Sequence, residues 1–288
     1  MTAAPAPGII RVMQPGDIRA GLRLSGQNNW NQTAADWRRL MQWEPEGCFV
    51  LDVDGQVMGT VTTTCYGTAL AWIGMLLVDA ASRHQGFGRR LLLHALAWLE
   101  QCHVHAMMLD ATPLGQPLYE SLGFRQRYPL ERWQGVAASA GGIPPAVLPL
   151  DQRGLAGPCL ALDRRAFGLD RGRLLRDLLA VPDARGFRTG GGAAIEGFVL
   201  LRPGAARWHI GPLVADNAER AAAMLQAAME VLEGRPVQID VPGVLAAVHV
   251  ARRAGLTPAR PFIRMLRGST DPVADLTLIY ATAAPEIG

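Results

Sequence analysis

Arg83-His84-Gln85-Gly86-Phe87-Gly88 stands between an apolar run ending in Met75-Leu76-Leu77-Val78 and a leucine-rich helical pattern. The first turn of a helix carries N–H groups without partners and a partial positive charge, and anions settle there. Gly86 and Gly88 lack a Cβ, so the backbone can curl around a phosphate and approach it closely. Arg83, Arg89 and Arg90 add positive charge around that turn. The spacing is not the dinucleotide fingerprint, because Leu91 occupies the position three after Gly88, and it is not a Walker A loop, which needs a lysine. Taken alone, such a glycine pair is more often a plain connection.

Other chemistry is excluded by composition. The chain has no lysine, so all 28 basic residues are arginine. Schiff-base and pyridoxal-phosphate chemistry therefore lack their anchor. The arginines are scattered, the net charge of +3 is mild, and no aromatic ladder accompanies them. No nucleic-acid partner is expected. Cys48, Cys65, Cys102 and Cys159 show no metal-type pairing, and no cysteine or carboxylate pair near His103 and His105 completes a metal motif. No metal is expected. No apolar stretch reaches the length of a membrane span, and the start "MTAAPAPGIIRVMQPGD" does not read as a signal peptide. The expectation is a cytoplasmic protein without membrane contact.

At 288 residues, two domains are the prior. Residues 1–8 read as a loose Ala/Pro tail, 9–134 as one domain, the Gly- and Pro-rich 135–145 as a linker, and 146–288 as a second domain. In the first, strands are expected at 9–14, 48–66 (a hairpin around Asp54-Gly55), 69–79 and 106–112. Helices are expected at 15–25, 28–43, 86–102 and 114–124, the last closed by Gly123. In the second, strands are expected at 146–150, 237–242 and 260–268, with a hairpin over 193–215. Helices are expected over 157–180, 216–233 and 243–256. "IDVP…RRAGL" echoes "LDATP…ESLGF", which reads as a degenerate internal duplication.

Over residues 9–134, the succession of strand, R-x-x-G-x-G, helix, strand and Y-x-x-x-G-F resembles the GCN5-related N-acetyltransferase (GNAT) superfamily. The wider layout, with "NNWN…ADW", "WIGMLLV" and "LDATPLGQPLYESLGF", resembles bacterial tandem-GNAT proteins. The resemblance implies an α/β fold of two GNAT-like domains, each a mixed, mostly antiparallel sheet flanked by helices. It implies acetyl-CoA as co-substrate, its pyrophosphate on the N–H groups of His84, Gln85, Gly86, Phe87, Gly88 and Arg89, with Arg83 opening the motif. Strand 75–78 would splay from 106–111, and the pantetheine arm would enter along Leu76, Leu77 and Val78. Thr112 stands where family members often carry an Asn that bonds this arm. Tyr119 matches the family's general acid; its other reading is a packed helix aromatic. Some members place a base where this chain has Trp72, which would instead wall the acceptor pocket or fill the core. Asp110 could serve as base, although an Asp before a turn is more often structural; Asp36 and Glu120 are remoter. A water relay would also do. Trp30, Asn31 and Asp36 would contact the amine, with Trp37 and Trp43 packed inward and Thr33 as a helix N-cap.

The corresponding junction of the second half, "GPLVADNAERAAAM", lacks the glycine motif, and Asp216 and Glu219 would repel phosphate. Ala251 stands where the first half has Tyr119. The second half is expected to be non-catalytic, extending the sheet, covering the acceptor side or forming a homodimer. Asp163, Phe167, Asp170 and Arg171 either line the acceptor pocket or form an ordinary helix start with a salt-bridged face. The expected activity is transfer of an acetyl group to a small-molecule amine. The alternatives are acetylation of a protein lysine or N-terminus, a non-catalytic acetyl-CoA sensor, and an interaction protein with a vestigial loop. The acyl chain length and the acceptor stay open.

Overall fold

The computed structural model describes residues 8–191, 194–268 and 274–288; residues 1–7 of the expected tail and residue 193, where the expected hairpin starts, lie outside them. The first half runs β1 (Ile9–Val12), α1 (Ile18–Gln27), α2 (Ala34–Trp43), β2 (Cys48–Val53), β3 (Gln56–Tyr66), β4 (Leu70–Val78), α3 (Phe87–Gln101), β5 (Ala106–Ala111), α4 (Gln116–Glu120) and β6 (Arg125–Val136). The second runs β7 (Val147–Pro149), α5 (Gly157–Phe167), α6 (Gly172–Leu179), β8 (Arg185–Gly191), β9 (Ala194–Arg202), β10 (Trp208–Ala215), α7 (Ala218–Val231), β11 (Pro236–Pro242), α8 (Leu245–Arg253), β12 (Thr257–Gly268) and β13 (Ile279–Ala281).

Local chemistry accounts for several boundaries. Asp54 and Gly55, at φ 51° and 80°, make the turn between β2 and β3. The helix expected from residue 28 begins only at Ala34, because Thr33 and Asp36 form a reciprocal cap. The Thr33 hydroxyl accepts the Asp36 N–H at 3.3 Å, and Asp36 Oδ2 accepts the Thr33 N–H at 2.7 Å. β4-α3-β5-α4-β6 recurs as β10-α7-β11-α8-β12, and Gly123 and Gly255 follow α4 and α8 at φ 86° and 77°. The strands β6, β8 and β13 were not expected from the sequence pattern.

Among the described residues the strands form one thirteen-stranded sheet, in the order β1-β2-β3-β4-β5-β12-β6-β11-β10-β9-β8-β7, with β13 on β10. β5 pairs with β12 of the other half, and β6 lies beyond, between β12 and β11. The halves exchange strands, and the order β4-β5-β12-β6-β11-β10 maps onto itself when they are interchanged. Each exchanged strand carries an arginine clasped by an aspartate of the other half. Arg132 of β6 meets Asp240 of β11 at 2.8 and 2.9 Å, and Arg264 of β12 meets Asp110 of β5 at 2.8 and 2.8 Å.

Side chains alternate across the sheet. Cys48 and Val50 of β2 face one core, Phe49 and Leu51 another. The first core spans both halves, joining Trp37, Trp72, Phe167, Phe198 and Ile287 beneath α1, α2, α5 and α6. On the opposite side α3 packs over the first half (Leu91, Leu92) and α7 with α8 over the second (Met224, Ala251).

Asp240→Asn is expected to lower unfolding stability by about 3–5 kcal/mol, the usual cost of leaving one partner of a buried pair uncompensated. A shift of the urea midpoint checks this. Burial pushes the Asp240 carboxyl up, but the Arg132 charge and its two hydrogen bonds hold it below the ordinary range. The stabilisation is therefore full above the unfolded value of ~3.9 and is lost as pH falls through the lower folded value.

Candidate active site

The expected anion loop is built as a rigid corner. A single 3-10 turn, Ala80–Ser82, follows β4, and α3 begins at Phe87 with Gly86 as its left-handed N-cap, φ 80°. The Arg90 N–H bonds the Gly86 carbonyl at 3.0 Å; before it, the N–H groups of residues 84–89 have no partner among the described residues. Asp79 fixes the corner: its carboxylate accepts the Ala81 N–H at 3.0 Å and Gln27 Nε2 at 3.1 Å, and pairs with Arg23. Burial pushes this carboxyl up, and Arg23 and Gln27 of α1 outweigh that and hold it low. Arg83 donates to Asn28 Oδ1 at 3.0 Å, Arg89 to Ser121 Oγ at 3.2 Å, and Arg90 to the Gly8 carbonyl.

The two glycines differ in what demands them. Gly86 is favoured as glycine by its left-handed φ. At Gly88 a Cβ would meet only Leu118 and Val78, both at an ordinary 3.7 Å. No protein contact needs Gly88 bare, whereas a phosphate drawn close to the backbone does. The loop thus fits a pyrophosphate.

Next to it the sheet opens. β4 and β5 run parallel and pair only at Ala71↔Met107 and Trp72↔Met108, after which they part. β4 is bulged: Thr60 faces Leu77 and Thr62 faces Gly74. Met75 within the bulge is left-handed at φ 49°, and the Thr60 hydroxyl donates to its carbonyl at 2.8 Å. A left-handed Met costs ~1–2 kcal/mol, so the surrounding strand pairing must hold it. Bulges of this kind re-aim backbone groups, here around Met75 and Leu76.

Tyr119 of α4 lies at this opening and shares a cleft with Leu76 and Trp30. Its ring meets Phe124 edge-on at 5.9 Å and covers Gly115, where a Cβ would stand 2.9 Å from Cε2. Its hydroxyl has no partner among the described residues, and burial pushes the phenol up. Thr112 opens the turn that leads into α4, its carbonyl accepting the Gly115 and Gln116 N–H groups at 3.0 Å each.

Five expected site residues are held by other work. Asp110 lines the cleft, but both its oxygens are taken by Arg264. The symmetric Asp240 makes the same clasp, so the pair belongs to the sheet. Asn31 clips the second half instead of facing an amine. Its Nδ2 donates to the Arg207 carbonyl at 2.8 Å, and its Oδ1 accepts the Ala206 and Arg207 N–H groups at 2.8 and 3.0 Å. Asp36 is the cap partner described above and also accepts from Arg39 at 3.0 Å. Trp72 is fully buried in the shared core, with the Arg264 guanidinium 4.4 Å from its ring centre. Leu77 likewise faces that core. In the second half, Asp163 clasps Arg171 at 2.9 and 2.9 Å and Asp170 caps the Gly172 N–H at 2.8 Å, the plainer of the two readings offered for them.

The C-terminal stretch carried no sequence signal and proves central. β10 and β11 pair only at Trp208↔Val237 and His209↔Gln238, the counterpart of the β4–β5 opening. β13 runs along β10 there, and the Thr282 N–H bonds the Asp240 carbonyl at 2.9 Å. The chain thus fills its own second opening. Residues 282–288 then cross to the first half. Trp72 Nε1 donates to the Pro285 carbonyl at 2.8 Å, Tyr66 to the Ile287 carbonyl at 2.6 Å, and Arg171 to the Gly288 carbonyl at 2.7 Å. Glu286 arrives in the cleft beside Tyr119 and Met75. At α7, Asn217 caps the Arg220 N–H at 2.9 Å, and Arg220 is paired with Asp216 and Glu196.

Among the described residues no group of three or more His, Cys, Asp or Glu is placed to hold a metal, and no helix is long and apolar enough to cross a membrane. Residues 22–124 match the model of the Acetyltransferase (GNAT) family, and residues 159–281 match the Acetyltransferase (GNAT) domain. A holothin acyltransferase of Pseudoalteromonas sp. (strain SANK 73390) is 25% identical over 90% of this chain and 87% of its own. A solved putative acetyltransferase of Pyrococcus horikoshii shares the fold with TM-score 0.85 at 24% identity, over 98% of this chain and 96% of its own. A tandem GNAT protein from the clavulanic acid biosynthesis pathway does so with TM-score 0.63 at 14% identity, over 93% of this chain and all of its own.

Proposed function

The chain belongs to the GNAT superfamily as a tandem member and is a GNAT-type acyltransferase, and from that premise we propose that its first half transfers the acetyl group of acetyl-CoA to the amine of a small molecule. One observation carries this: six unpartnered N–H groups at the head of α3 open onto the parting of β4 and β5, with the Tyr119 hydroxyl in the same cleft.

The pyrophosphate rests on the N–H groups of residues 84–89, where the helix end favours negative charge. The pantetheine follows β4 from Val78 past Leu76 towards the bulge, with the Thr112 hydroxyl on the β5 side. The acceptor nitrogen attacks the thioester carbonyl, and a bulge N–H near Leu76 receives the oxyanion. Tyr119, kept protonated by burial, gives its proton to the departing thiolate. Asp110 is assigned to the Arg264 clasp and not to the base.

The second half is read as non-catalytic: its junction has no glycine pair, its opening holds β13, and Ala251 replaces Tyr119. A small acceptor is supported by the tail 282–288 lying across the acceptor side, where a peptide would need an open groove. A relative named for holothin rather than for a protein agrees with this. Calorimetry with acetyl-CoA is expected to show one site per chain. Thiol release is expected once a suitable amine is added. Failure to bind acetyl-CoA overturns the reading.

A further inference from the structure

Glu286 reaches the cleft from the far end of the chain. Its backbone passes so close to β4 that a Cβ on Gly74 would stand 2.8 Å from the Glu286 carbonyl oxygen and 2.9 Å from its Cα. The glutamate is 6% exposed and lines the same cleft as Tyr119, Met75 and Leu76. Gln32 Nε2 donates to Glu286 Oε2 at 3.0 Å, which turns Gln32 Oε1 the other way. That oxygen is buried and has no partner among the described residues. A carboxylate with an oxygen to spare and an orphaned carbonyl acceptor are therefore carried on neighbouring side chains, and each can accept an N–H. An ammonium group has three.

We infer that Glu286, delivered by the C-terminal tail of the non-catalytic half, is the general base of the first half's site, and that it acts with Gln32 on a primary alkylammonium acceptor. This rests on the acetyltransferase reading above. The Glu286 carboxylate takes one proton from R–NH3+ and releases it to solvent. The R–NH2 lone pair forms the C–N bond at the thioester carbonyl, whose π pair moves to oxygen. That pair returns as the C–S bond breaks. The thiolate takes the Tyr119 proton, and the surplus proton on nitrogen restores Tyr119. One proton leaves and one ends on sulfur, as the overall reaction requires.

The surroundings suit the task. Burial pushes the Glu286 carboxyl above the usual range, and Arg202, at 3.9 Å, pulls against it. The other charged or titratable groups nearby are Asp36 and Arg39 of α2, Asp110 of β5, Tyr119 of α4, Arg132 of β6, His209 of β10 and Arg260 of β12. Asp36 adds to the rise and Arg132 opposes it; His209 is held neutral, its burial lowering it to about 3. A base poised towards neutrality transfers protons best.

The test compares phenethylamine, whose ammonium must lose a proton before attack, with aniline, which arrives neutral. Glu286→Gln keeps the side chain's shape and its contact with Gln32. It is expected to lower kcat/KM for phenethylamine about 100-fold or more at pH 7, with recovery as pH approaches the amine's own value of ~10. Aniline turnover and acetyl-CoA affinity stay within threefold. Gly74→Ala, which pushes the tail off β4, should give the same selective loss, and melting curves confirm that both variants are folded. Equal loss on both amines, or phenethylamine turnover within threefold of wild type, overturns the inference while the acetyltransferase reading stands. Wild-type protein that binds acetyl-CoA and releases thiol with neither amine overturns the alkylammonium acceptor. Wild-type protein that binds no acetyl-CoA overturns the reading beneath it.

Discussion

Gly86→Glu is expected to abolish acetyl-CoA binding in a protein that remains folded. The position is left-handed at φ 80°, and a Cβ there meets no protein atom within 4 Å. The backbone penalty of ~1–2 kcal/mol for a non-glycine residue is small against the stability of a sheet this size. The carboxylate, however, projects where the N–H groups of residues 84–89 converge, and there it meets the pyrophosphate with like charge. Calorimetry should show at least a 100-fold weaker affinity, with the melting temperature displaced by only a few degrees. Gly86→Asn separates the two effects, since Asn tolerates the left-handed region and carries no charge; it should weaken binding far less. Equal loss from Asn and Glu would place the whole effect in the backbone and remove the electrostatic argument.

Tyr119→Phe is the second large effect. The phenol oxygen makes no hydrogen bond with described residues, so its removal leaves no protein group unsatisfied. The ring's packing on Phe124 and Gly115 is retained. Stability and acetyl-CoA affinity should be unchanged, while kcat falls about 100- to 10,000-fold, the range for loss of a positioned acid. Because burial raises the phenol, the wild-type rate should show no basic limb from Tyr119 across the ordinary working range. A Phe variant with wild-type turnover would return Tyr119 to the role of a packed aromatic.

The cofactor side was legible in sequence because its chemistry is local. Gly86 and Gly88, the strand before them and the helix after them lie within one short stretch, and helix-end physics acts over one turn. Tyr119 was singled out only by the family resemblance, as the tyrosine of Y-x-x-x-G-F four residues before Gly123. The acceptor side was not, because its parts are assembled by long-range pairing. Trp72, Asp110 and Asn31 are residue types that could serve a site. Their partners, Pro285, Arg264 and the 206–207 backbone, come from the other half and commit them elsewhere. Glu286 stands in "AAPEIG", a segment with no periodicity, and only the threading of β13 and the tail brings it to β4. The exchange of β6 and β12 was invisible for the same reason. A strand's pattern says that it is half-buried, not whose edge it joins. The paired aspartates Asp110 and Asp240 were nonetheless a trace of it, each standing on the strand before an echoed helix stop.

That exchange changes what the linker means. Residues 137–146 join the halves covalently, but the sheet crosses between them at β5-β12, β12-β6 and β6-β11. The chain is braided, so neither half can leave without uncovering two long strand edges. Severing the linker would not free the halves, because the hydrogen-bond ladders still hold them. Melting is accordingly expected as one event for both. A nucleotide bound at the head of α3 then secures, by mass action, a half of the molecule that it never touches. At 100 times its dissociation constant that amounts to about 2.7 kcal/mol shared by the whole chain. The second half would then retain its shape partly on the strength of a ligand bound by the first.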